Sequence, residues 1–70
     1  MYAVEDFIKD FLVADAKVSI VADGTNDMIY QGYAKHLDYP CVRGYTVESL
    51  GLRADGWLTI RCKRRKVWYV

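Results

Sequence analysis

Apolar positions along this chain change period once, and the change divides it into two kinds of element. In "YAVEDFIKDFLVAD", residues 2–15, Val4, Phe7, Ile8, Phe11 and Leu12 recur at i, i+3, i+4, i+7 and i+8. That stripe predicts an amphipathic helix over about residues 3–13. Glu5 and Asp6 fall in its first turn, where carboxylates complement the positive end of the helix dipole. From Lys17 onward the period is two. Val18, Ile20 and Ala22 alternate with Ser19 and Val21, and a second run, "DMIYQGYA", follows the turn Asp23-Gly24-Thr25-Asn26. Together they predict a hairpin over about residues 17–34.

"KHLDYPCVRG", residues 35–44, has neither period and reads as a loop with one short helical turn near Lys35 to Asp38. Tyr39 precedes Pro40 and is pushed toward an extended backbone. A second hairpin is predicted over about residues 45–62: "YTVESLGL", the turn "RADG", then "WLTIRC". Val47, Leu50 and Leu52 do not share one alternation, so a bulge is expected near Ser49. Leu58, Ile60 and Cys62 should face the helix, with Trp57, Thr59 and Arg61 facing away. The resulting fold class is α+β: one N-terminal helix packed on a four-stranded antiparallel sheet, in the order α-β-β-β-β. Phe7, Ile8, Phe11 and Leu12 are expected to pack on Ile20, Leu58 and Ile60.

Seventy residues make one domain. A chain of this size buries only about 60% of the surface its unfolded state exposes, so its stability margin is thin. Its hydrophobic content of 53% is that of a globular protein. Asp6, Lys9 and Asp10 interrupt the apolar start, so no signal-peptide core is read there, and no apolar run is long enough to span a bilayer. The expectation is a cytoplasmic protein without membrane contact.

The residue types needed for catalysis or metal binding are sparse. Cys41 and Cys62 are too far apart for a CxxC motif, and His36 with Cys41 makes at most two zinc ligands where three or four are needed. Both cysteines are therefore expected as free thiols without metal. "DGTND" places Gly24 and Thr25 out of register with a calcium loop. The glycines are scattered singly and form no phosphate loop, and no third group is identified to orient His36 as a base. These absences argue for a non-enzymatic protein with no cofactor.

Charge is distributed unevenly. Residues 1–55 hold all nine acids and five bases, whereas residues 56–70 hold Arg61, Lys63, Arg64, Arg65 and Lys66 and no acid. The end of the chain, "RCKRRKVWYV", then interleaves these cations with Trp68 and Tyr69. We expect the last strand to continue beyond Cys62 along a sheet edge, leaving residues 63–70 as a basic, aromatic extension at a contact surface. Arg61, Lys63, Arg64, Arg65, Lys66, Trp68 and Tyr69 are candidate partner-binding residues. Tyr39 and Arg43 join them from the irregular loop, where aromatics with polar tips crowd together. The same cations could neutralise phosphates while the rings stack on bases, so nucleic-acid binding stands beside protein binding. Self-association through the edge strand to give a homodimer is a third use of the segment.

The order of the helix, "VSIVADGTNDMIYQGYA", an irregular loop, "YTVESLGL" and "DGWLTIRC" resembles small uncharacterised proteins encoded by phages and mobile elements of gut-dwelling Firmicutes. The likeness spans about residues 4–62 and leaves out the basic end. It implies a binding protein rather than an enzyme. The context would be a phage accessory protein acting on a host protein, including inhibition of CRISPR and other defence systems.

Overall fold

A computed structural model describes residues 2–64. Helix α1 (Val4–Phe11) is followed by strands β1 (Lys17–Ala22) and β2 (Met28–Tyr33). Two 3-10 turns, Ala34–His36 and Tyr39–Val42, then lead to β3 (Tyr45–Leu52) and β4 (Leu58–Arg64). Both predicted hairpins form. Gly24 and Gly56 take φ of 91° and 89° in their turns, conformations that a Cβ would penalise. In the second turn Asp55 accepts from the Trp57 amide at 3.1 Å and from the Arg53 guanidinium at 2.7 Å. The expected bulge is present, with the β3–β4 register shifting between Val47 and Ser49 and Glu48 left without a partner.

The sheet is mixed rather than wholly antiparallel. Its strand order is β2-β1-β4-β3, and the two hairpins meet through a parallel pairing of β1 with β4 in which Val18 faces Leu58, Ile20 faces Ile60 and Ala22 faces Cys62. An all-antiparallel meander would set β3 beside β2 through a short return. Here the connection at residues 34–44 crosses one face instead, anchored by buried Ala34, Leu37 and Val42. Burial accounts for the choice. β1 and β4 turn Val18, Ile20, Ile60 and Cys62 toward the helix, and placing both strands inside the sheet buries all four, with β2 and β3 as edges. Consequently β4 continues to Lys63 and Arg64 as expected, but as an inner strand and not along a sheet edge.

α1 lies on the same face as the crossover. It starts at an Ala3–Thr46 bridge beside β3 and ends near the β1–β2 side, where Ala14 accepts from the Lys35 amide at 2.8 Å. Val4 and Ile8 complete the core. Gly32 leaves room for the Tyr30 ring, since a Cβ there would stand 2.8 Å from the Tyr30 hydroxyl. Phe11 departs from expectation: it is 58% exposed, and Phe7 and Leu12 are only partly buried. An eight-residue helix crossing the sheet on the diagonal can press only a narrow strip, Val4 and Ile8, onto the core. Among the described residues no helix is long and apolar enough to cross a membrane.

Candidate binding surfaces

The candidate residues do not converge on one site. Arg61 and Lys63 alternate with inward Ile60 and Cys62, so they project from the sheet face opposite the helix. Arg64 belongs to the other parity and stacks over the Tyr45 ring at 5.8 Å. Tyr39 sits half-buried in the crossover beneath Lys9, whose ammonium lies 4.7 Å from the ring centre. Arg43 is exposed just past the second 3-10 turn. Tyr39 and Arg43 are thus on the helix side, apart from Arg61 and Lys63. Arg65, Lys66, Trp68 and Tyr69 lie outside the described residues.

The helix side carries an apolar flank that includes Phe7 and Phe11, which sequence periodicity assigned to the core. Tyr2, Phe7 and Phe11 stack on one another, with ring centres 5.3 to 6.4 Å apart. The Tyr2 carbonyl accepts from the Val47 amide at 2.8 Å, which fixes this cluster beside β3. Glu5 and Lys9, bonded at 3.1 Å, occupy the opposite flank toward the crossover. Farther along β3, Leu50 and Leu52 pair with Ile60 and Leu58 and so share the helix-side face, yet they are 49% and 78% exposed. Helix and crossover leave that corner of the sheet bare. The missing signal was helix length: a stripe of five apolar residues exceeds what eight helical residues can bury.

Between α1 and the crossover is a cleft of about 300 Å³, lined by Ile8, Leu12, Ala34, Tyr39 and the stems of Lys9 and Lys35. It opens broadly to solvent, and Lys9 is already held by Glu5 and the Tyr39 ring.

Among the described residues no helix or crossover covers the opposite face of the sheet. Register places Lys17 and Tyr33 in one row, then Gln31, Ser19, Thr59 and Gly51, then Val21, Arg61 and Ser49, and last Lys63 beside Thr46. Trp57 lies at the Lys17 end, with the Lys17 ammonium 5.9 Å from its ring. Arg61 donates to Asn26 at 3.0 Å and approaches Asp23 at 3.9 Å. The Ser19 hydroxyl is buried among these side chains without a hydrogen-bond partner.

The two cysteines differ in exposure. Cys62 is fully buried in the β1–β4 seam, its thiol donating weakly to the Val21 carbonyl at 3.5 Å. Burial, and secondarily Asp23, pushes its pKa from 9.0 up to about 11. Cys41 is exposed, and the described residues contain no group of three or more potential metal ligands. A thiol reagent at neutral pH is expected to modify Cys41 in the folded protein and Cys62 only after denaturation. Equal labelling rates for the two in native buffer would contradict the placement of β4. No protein-family model, curated protein or solved structure matches the chain.

Proposed function

We propose that this chain is a non-enzymatic protein-binding module whose contact surface is the apolar flank of Tyr2, Phe7, Phe11, Leu50 and Leu52. The observation that carries the reading is the exposure of Phe11, Leu50 and Leu52 on the helix side of a domain with little apolar surface to spare. Exposed apolar clusters of this kind mark association sites, and aromatic residues dominate the energetics of such interfaces. The partner would be a protein presenting its own apolar surface. A host protein in a phage-encoded anti-defence role is one such use, in keeping with the resemblance noted above.

Edge strands bear on the homodimer. Because β4 lies inside the sheet, the strand edges open to a second copy are β2 and the part of β3 beyond the Ala3–Thr46 bridge. The basic extension would then contribute charge at the rim of a contact rather than a pairing edge.

The test is capture from a lysate of the native host with the wild-type chain and with Leu50→Asp/Leu52→Asp as bait. Both side chains are substantially exposed, so the variant is expected to keep its melting temperature to within a few degrees while losing a specific captured protein. Capture by the variant at wild-type level would remove this flank from consideration. Dependence on Arg65 and Lys66 alone, with steep loss in salt, would favour the nucleic-acid reading of the basic segment instead.

A further inference from the structure

The tertiary fold redistributes charge in a way that the linear sequence conceals. Segments on the helix side carry Glu5, Asp6, Asp10, Asp15 and Asp38 against Lys9, Lys35, Arg43 and Arg64. Strand positions on the open face carry Lys17, Arg61 and Lys63 and no acid. The nearby acids are peripheral: Asp23 and Asp27 belong to the β1–β2 turn, Asp55 to the β3–β4 turn where it bonds the Trp57 amide and Arg53, and Glu48 sits in the bulge outside the paired register. At about 3.3 Å per residue, the three cations form a line of roughly 20 Å along the β1–β4 seam.

We propose that this open face binds single-stranded nucleic acid, with Lys17, Arg61 and Lys63 tracking phosphates and Trp57 and Tyr33 offering rings for base stacking. The proposal uses the side opposite the apolar flank and does not depend on the protein-binding reading. Three features select this occupant. A line of cations is complementary to a polyanion, whereas a compact acidic patch would be met by a cluster. Rings accompany the line at one end: Lys17 lies over Trp57, and its cross-strand neighbour Tyr33 is 42% exposed. Such a combination of basic track and stacking platforms suits unpaired bases. Among the described residues the face also lacks a protruding helix or ribbon to enter a duplex groove, while Gln31 and Thr59 supply polar groups between the rings and Arg61.

The existing contacts of these cations do not block the role. The Arg61–Asp23 pair is solvent-exposed at 3.9 Å, and a pair of that kind contributes about 1 kcal/mol or less. Among the described residues, exposed Lys17 rests against the half-buried Trp57 ring at 5.9 Å, a contact loose enough for the ammonium to turn toward a phosphate.

The experiment is fluorescence anisotropy of labelled oligothymidine and oligouridine single strands at low salt, using the full chain. Tryptophan quenching in a Trp68→Phe background reports on Trp57. Lys17→Glu and Lys63→Glu are each expected to weaken binding about tenfold, and log K should fall with log salt at a slope of about −2 for three single-strand phosphate contacts. Lys9→Glu, on the helix side, should bind as wild type, and melting curves check that every variant is folded. Absence of binding would overturn the proposal. So would wild-type affinity in both open-face variants with loss only in Lys66→Glu, which assigns binding to the basic extension. Displacement by polyglutamate as effective as by the single strand would also overturn it, in favour of an acidic protein partner.

Discussion

Ile60→Ala is expected to destabilise this domain by about 2–5 kcal/mol, enough to remove most of its folded population. Ile60 is completely buried, pairs with Ile20 across the parallel seam and faces Leu50 on β3. Alanine would leave a cavity where both hairpins meet, and neither hairpin can close it without giving up its own register. Small single cores without a staple supply roughly 3–5 kcal/mol in all, so the loss is comparable with the whole margin. Phe11→Ala is the informative control. Periodicity placed Phe11 in the core, where truncation would cost about 3–5 kcal/mol. With the ring 58% exposed and held by an edge contact to Tyr2 and a tilted one to Phe7, the expected cost is about 1 kcal/mol. Thermal or urea unfolding of the pair measures both. A melt for Ile60→Ala close to wild type, or collapse of Phe11→Ala, would reverse the core assignment.

Val42→Asp should abolish folding. Val42 is 1% exposed at the end of the crossover, packed in the same cluster as Val4, Ile8 and Ile20. A carboxylate there would have to be buried without a cation or taken up protonated, and burial of an unpaired charge costs several kcal/mol. The crossover also holds β2 and β3 at opposite edges, so freeing it loosens the arrangement that creates the parallel seam. Val13→Asp offers the matched comparison, because Val13 is 69% exposed and should tolerate the charge. Far-UV circular dichroism and a denaturant titration decide the matter. A cooperative transition for Val42→Asp would show that the crossover is not part of the core.

Local chemistry along the chain determined a good deal by itself. The change of period at Lys17 placed the helix and all four strands, glycine and aspartate located both hairpin turns, and the broken alternation around Ser49 announced the bulge. These are short-range properties, set by backbone conformation and by neighbours a few residues apart. Alternation in "WLTIRC" likewise oriented Arg61 away from the core before any partner strand was known. The tertiary structure alone decided how the hairpins join. Each hairpin satisfies its inner backbone groups and leaves two candidate edges, and selecting β1 with β4 depends on which combination buries the most apolar surface beneath one short helix. That choice moved β4 from an edge to the interior and left Phe11, Leu50 and Leu52 at the surface. It also brought Lys17, far from the basic end in sequence, onto the same sheet face as Arg61 and Lys63. Charge along a sequence is a sum over positions, whereas a surface is selected by the parity and register of strands far apart in the chain.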